Sequence, residues 1–171
     1  IDFFNGPYQN VTGSDQIGDA SYVLDANNED RYPLMYRWSP IPSNFTYITP
    51  DGSIDPPTAP IRRVGDTYEL TSNISGSIVV QRDNIMIDGG NHLIQGPGAP
   101  YSAPGVDLSY RSNVALKNAE IQGFENGVAV RGIGEVAIER NKIFSNAESG
   151  IIIVGESNIL VEENTIKGNK N

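Results

Sequence analysis

Apolar and polar positions alternate in short runs through the last hundred or so residues, and the runs return at a fixed interval. Val114 and Leu116, Val136 and Ile138, and Ile159 and Val161 share one parity, while the residues between them are small or of other character. A period of two predicts strands. The phrase Gly105-Val-Asp-Leu returns as Gly127-Val-Ala-Val and as Gly150-Ile-Ile-Ile. Asn113-Val-Ala-Leu returns as Glu135-Val-Ala-Ile and Asn158-Ile-Leu-Val, and Ile121 returns at Ile143 and Ile166. Each interval is 22 or 23 residues. A repeat of that length predicts a solenoid, whose coils bury their apolar sides only against one another. Equivalent strands then stack in parallel with a rise of about 4.8 Å per coil. Three apolar segments per coil predict a triangular cross-section, and columns such as Val106/Val128/Ile151 predict continuous aliphatic stacks.

Four coils are expected, starting at Gly76, Gly105, Gly127 and Gly150, with a Gly/Pro-rich insertion over 96–104 lengthening the first step. The first contains Ile78 and Val80, Asn84-Ile-Met-Ile and Leu93. Asn118, Asn141 and Asn164 recur at the turn after the second segment. Turned inward, and allowing a slip of one residue at Asn118, they form a ladder bonded to backbone and to one another. Turned outward, they simply tolerate a left-handed turn conformation. Leucine-rich repeats share the period but need a Leu-dominated consensus and a helical or 3₁₀ segment, and hexapeptide helices need a six-residue period. The pattern fits an all-β chain folded as a right-handed parallel β-helix over 76–171. Residues 1–40 form an acidic and aromatic block, and 41–75 a Pro-rich connection with a lead-in strand near Tyr68–Ile74. Six prolines (Pro40, Pro42, Pro50, Pro56, Pro57 and Pro60) predict an extended connection over 39–60 rather than a strand pair.

Composition narrows the function. Eighteen glycines and eleven prolines argue against helices, and one Trp with five Phe leaves the core to Ile, Val and Leu. A net charge of −9 excludes the basic face that phosphate neutralisation needs, so no nucleic-acid partner is expected. There is no cysteine, hence neither disulfide nor thiolate chemistry. No apolar run reaches the roughly 18 residues that a spanning helix requires. The chain starts at Ile1, with no signal peptide visible, and reads as a processed chain or a piece of a longer protein. Three N-x-[ST] triplets, at Asn10, Asn44 and Asn73, are candidate glycosylation sites on an extracellular surface.

The stretch Asn84-Ile-Met-Ile-Asp-Gly-Gly-Asn-His-Leu-Ile-Gln-Gly, with Asp107-Leu-Ser-Tyr-Arg-Ser-Asn-Val and Asn141-Lys-Ile-Phe-Ser-Asn, resembles the NosD-like family. That family lies within the group of right-handed β-helix proteins that bind or hydrolyse carbohydrates. Phe4-Asn-Gly-Pro-Tyr-Gln-Asn-Val-Thr-Gly-Ser-Asp-Gln-Ile-Gly-Asp and Asp30-Arg-Tyr-Pro-Leu-Met resemble the segment closing the C-terminal end of such helices. Tyr47-Ile-Thr-Pro-Asp-Gly-Ser-Ile-Asp-Pro-Pro-Thr-Ala-Pro-Ile resembles the opening segment of archaeal surface members. A closing segment thus precedes an opening one. Either the chain is cut from a tandem of β-helix domains, or residues 1–40 of one copy cover the final coil of the next. The expected partners are accordingly other copies or adjacent β-helix domains, with glycans as a further possibility.

Chemistry is sparse. Polysaccharide hydrolases need two carboxylates at a set separation, and lyases need an acid cluster holding calcium plus a base. The coil acids are scattered, and Glu139 and Glu162, one coil apart, read as a solvated face with counter-charges such as Lys117. No catalytic residue and no bound organic cofactor are assigned. His92, the single histidine, with two methionines and no cysteine, lacks the soft ligand set of a copper site and reads as structural. Asp15, Asp19, Asp25 and Asp30, with Asn27 and Asn28, offer hard oxygen ligands suited to calcium, or else cap turns through side-chain to backbone bonds. Tyr101 and Tyr110 either stack on sugar rings or pack on their own loop. The expected role is structural, in a cell-surface layer, sheath or filament; the alternative is a polysaccharide-binding or polysaccharide-degrading module.

Overall fold

Val and Ile are stiff at χ1 and pack well on a pleated surface, so alternating runs of them favour strands. In the computed structural model every regular element described is a strand. The structure describes residues 44–98, 102–132, 134–155 and 158–170, together with β1 (Tyr22–Asp25) and β2 (Asn28–Asp30). The chain divides into two units, Ile1–Pro42 and Ser43–Asn171. In the first unit, β1 and β2 pair antiparallel, with Tyr22 opposite Asp30 and Asp25 opposite Asn28.

The second unit is the solenoid, and its strands form three ladders. The first runs through β3 (Phe45–Ile48), β8 (Ser77–Val80), β11 (Val106–Asp107), β14 (Val128–Arg131) and β17 (Ile151–Val154). The second runs through β6 (Thr67–Leu70), β9 (Ile85–Asp88), β12 (Val114–Lys117), β15 (Glu135–Glu139) and β18 (Asn158–Glu162). The third runs through β7 (Ile74–Ser75), β10 (Leu93–Gln95), β13 (Glu120–Gln122), β16 (Lys142–Phe144) and β19 (Thr165–Lys167). All these pairings are parallel. Their register places Val106 on Val128 on Ile151 and Val114 on Val136 on Ile159, which is the arrangement of a right-handed parallel β-helix with the expected repeat. One register differs by a residue from the sequence reading: Val106 pairs with Ile78, so Gly105 stands over Ser77 and not over Gly76.

The larger correction concerns 39–60. The prolines there do not prevent pairing. β3 joins the first ladder in parallel and carries β4 (Ile54–Asp55) antiparallel on its other edge. β5 (Ile61–Val64) lies antiparallel on β6 in the same way. Residues 45–75 therefore build a lead coil below the four expected ones, and Pro50, Pro56, Pro57 and Pro60 sit between strands rather than inside them. Tyr68 anchors this end: its buried hydroxyl donates to the Gly52 carbonyl (2.8 Å), and the Arg63 guanidinium lies 5.6 Å from its ring centre.

Inward side chains fill the interior in columns, among them Ile78, Val106 and Val128, then Ile87, Leu116 and Ile138, then Ile94, Ile121 and Ile143, all buried. Corners are turned by left-handed residues in columns of their own. Asn118, Arg140 and Glu163 have φ of 52°, 54° and 54°, and Gly123, Ser145 and Gly168 have φ of 80°, 54° and 65°.

Candidate functional site

The asparagine columns come first, because they set the corners. Asn141 is buried, its Oδ1 accepts the Ala119 N–H (2.9 Å), and its Nδ2 donates to the Leu116 carbonyl (3.0 Å) and to Asn164 Oδ1 (3.1 Å). The Asn141 backbone N–H also donates to Asn164 Oδ1 (2.8 Å). Asn118 stands outside the ladder. Ala119 occupies its place, while Asn118 takes the left-handed corner and donates from Nδ2 to Asp88 Oδ1 (3.1 Å). The two roles considered for these asparagines are thus divided between neighbouring columns.

A second ladder, missed in the sequence, stands at the next corner. Asn146 Oδ1 accepts the Phe124 N–H (3.1 Å), and both the backbone N–H and Nδ2 of Asn146 donate to Asn169 Oδ1 (3.0 Å each). Asn146 and Asn169 are 23 residues apart, which was a usable signal, but the coil before them carries Phe124 in that column. Gly127 and Gly150 make room for these amides: a Cβ on Gly127 would lie 3.0 Å from Asn146 Nδ2, and one on Gly150 would lie 2.8 Å from Asn169 Nδ2.

The outer face of the second ladder forms a groove of about 490 Å³. Its floor is the outward column Met86, Ala115 and Ala137, and small side chains there leave the space. Its rim is the column Asn84, Asn113, Glu135 and Asn158, with Asn113 Nδ2 donating to Asn84 Oδ1 (3.1 Å). The sequence repeats that begin at Asn113, Glu135 and Asn158 were legible, but not that their first residues border a groove.

Several acids of the described coils are engaged in turns and ion pairs. Asp83 accepts the Ser112 N–H (3.0 Å) and faces Arg111 (3.3 Å), and Asp107 accepts the Ser109 N–H (3.0 Å). Glu120 meets Lys142 across one coil (2.7 Å). Glu139 stacks on Glu162 as its spacing suggested, but its carboxylate is only 12% exposed and lies 3.2 Å from Lys117 and 3.5 Å from Arg140. Such an arrangement neutralises charge. Among the described residues no three His, Asp or Glu side chains converge. Among the described residues Asp51 has the one strongly shifted carboxyl: hydrogen bonds from the hydroxyl of Thr49 and from the backbone and hydroxyl of Ser53 lower its pKa to about 2. Burial raises the pKa of Tyr68.

The other expected sites fall as follows. Asp15, Asp19, Asn10 and Tyr101 lie outside the described residues. Asp25 and Asp30 sit at opposite ends of the β1–β2 pairing. Asn44 and Asn73 are exposed, and Asn73 Oδ1 accepts the Leu93 N–H (3.0 Å). His92 lies in the corner between β9 and β10, where its carbonyl accepts the Glu120 N–H (3.0 Å). Tyr110 is 68% exposed in a left-handed conformation (φ 61°), and its ring packs over Gly132 of the next coil, where a Cβ would come within 2.5 Å of it.

The final coil differs from those beneath it. Ile153, Val161 and Ile166 continue the inward columns, one in each ladder, yet are 46%, 41% and 46% exposed. Their equivalents one coil earlier, Val130, Ile138 and Ile143, are 3%, 0% and 0% exposed. β17, β18 and β19 are the outermost strands of their ladders on this side.

No curated protein and no solved structure matches the sequence at a significant level. The family model of the right handed beta helix region matches residues 68–171, a span that covers the four coils together with most of β6 and all of β7 in the lead coil. The chain therefore belongs to the right-handed β-helix family.

Proposed function

We propose that this chain is a non-enzymatic, extracellular β-helix module of a cell-surface layer, sheath or filament, similar to NosD-like proteins of archaeal surfaces. The observation that carries this reading is the solenoid itself: three parallel ladders stack aliphatic columns and asparagine ladders coil on coil. The module's work is mechanical: parallel hydrogen bonding, aliphatic stacking and asparagine ladders continued from domain to domain or from copy to copy. Glycans at Asn10, Asn44 and Asn73 and calcium at Asp15, Asp19, Asp25 and Asp30 fit an exterior setting. Electron microscopy of native particles tests the reading: repeating rods or sheets are expected, and discrete single particles overturn it. Calorimetry with calcium chloride tests the ion, with heat and a raised Tm expected.

A second reading rests on the groove. A trough with an aliphatic floor and a rim of amides suits an extended, uncharged polysaccharide, and the exposed ring of Tyr110 offers a stacking surface. Binding on a glycan array, lost on Ala137→Trp, is its expected signature.

A further inference from the structure

Space fixes the glycine that follows Asn126 in the corner between β13 and β14. A Cβ on Gly127 would lie 2.5 Å from both the Gly150 carbonyl oxygen and Ile143 Cγ2. Gly105 and Gly150 hold the same place in the coils before and after, preceded by Pro104 and Ser149. In this coil the residue in front of the glycine carries a carboxamide.

Asparagine followed by glycine is chemically labile, because a residue without Cβ lets its backbone nitrogen approach the carboxamide closely. The Gly127 nitrogen, on losing its proton, forms a bond to Asn126 Cγ and closes a five-membered succinimide, and the side-chain nitrogen leaves as ammonia. Water then adds to one of the two imide carbonyls and breaks its C–N bond. Opening at the side-chain carbonyl gives aspartate, and opening at the main-chain carbonyl gives isoaspartate. Water is the one co-reactant, and nothing is oxidised or reduced.

In the stacked solenoid both reacting groups are held by a single residue of the next coil. Asn126 is 6% exposed, its Oδ1 accepts the Ser149 N–H (3.3 Å), and the Gly127 N–H donates to the Ser149 carbonyl (2.9 Å). From the coil before, the Gly105 N–H donates to the Asn126 carbonyl (3.0 Å). Ring closure therefore requires the two bonds to Ser149 to break together.

We infer that Asn126–Gly127 is a site of spontaneous deamidation, closed while the corner carrying Ser149 is stacked on it and open when that corner lifts. The product disturbs the fold. Aspartate adds a negative charge beside Glu125, whose carbonyl accepts the Glu148 N–H of the next coil (2.7 Å), so like charges gather at one corner. Isoaspartate adds a methylene to the main chain and breaks the step that keeps β14 in register. A reversible local opening is thereby converted into a covalent change. The inference is independent of the structural role proposed above.

The test follows two rates in the full chain in one mildly alkaline buffer. One is deamidation of Asn126, located by fragment mass and by separating the aspartyl and isoaspartyl peptides. The other is hydrogen exchange at the Gly127 amide. Deamidation in native buffer is expected to be at least about 100-fold slower than in unfolding concentrations of urea. Gly150→Ala, whose Cβ would lie 2.5 Å from Ile166 Cγ2 and 2.8 Å from Asn169 Nδ2, loosens the coil above. It should speed both rates by the same factor, about tenfold. Steps of urea below the unfolding transition make the same comparison on the unsubstituted chain, should the variant not fold. Equal deamidation in native buffer and urea, no deamidation in either, or faster Gly127 exchange with unchanged deamidation overturns the inference.

Discussion

Asn141 has every polar group of its side chain in use: one accepted hydrogen bond through Oδ1 and two donated through Nδ2, all inside the solenoid. Replacing it by Ala removes the acceptor of the buried Ala119 N–H and one donor to the Leu116 carbonyl, the orphaned N–H alone costing about 1–3 kcal/mol before any compensation by water. Asn141→Ala is expected to lower stability by about 2–4 kcal/mol in urea unfolding. Asn164→Ala, in a more accessible coil, should cost about half as much. At Asp51 the hydroxyl and backbone donors of Thr49 and Ser53 favour the charged carboxylate, so the folded pKa, about 2, lies below the unfolded value. The stabilisation is complete above the unfolded pKa of about 3.9 and is lost as pH falls through about 2. Carboxyl NMR should place the Asp51 midpoint near 2, and Thr49→Val should move it up toward the ordinary range.

At the scale of elements, strands and corners obey separate column rules. The strand columns tolerate any aliphatic residue of similar volume, whereas the corner columns restrict backbone conformation and space. A Cβ at Gly127 would lie 2.5 Å from both the Gly150 carbonyl oxygen and Ile143 Cγ2, so Gly127→Ala is expected to cost about 1–3 kcal/mol in thermal or urea unfolding. Gly65, with φ of 63° and no neighbour within 4 Å of a Cβ, should lose about 1 kcal/mol from conformation alone. These rules also decide what could be read from the chain. The coils from Gly105 onward were legible because Val, Ile and Asn recur without interruption. The lead coil was not, since two hairpins separate Thr46 from its parallel partner Ile78 and disguise the period as a Pro-rich connection. Ala119 and Phe124 hid the first member of each asparagine ladder. The groove depends on which outward residues are small, and Met86, Ala115 and Ala137 share no motif that announces it.

At the scale of the solenoid, stability is distributed from neighbour to neighbour, because each coil contacts only those beside it. The coil of β17, β18 and β19 has one such neighbour among the described residues, and those of β11 to β16 have two. Amide exchange is therefore expected to slow progressively from Ile166 to Ile143 to Ile121, and a uniform rate across the three would contradict nearest-neighbour cooperativity. The Lys142–Glu120 ion pair bridges two coils near the surface and should contribute little; Lys142→Met is expected to change stability by less than about 1 kcal/mol.

The passage from β10 to β11 is the longest step among the four coils, yet Ile78 still lies in register on Val106 and Ile94 on Ile121. That corner absorbs additional length without transmitting it to the ladders. It is consequently a natural grafting point: a peptide tag, a fluorophore attachment site or a short epitope placed at the exposed Pro97 or Ser102 would decorate the surface while leaving the stack beneath it in register.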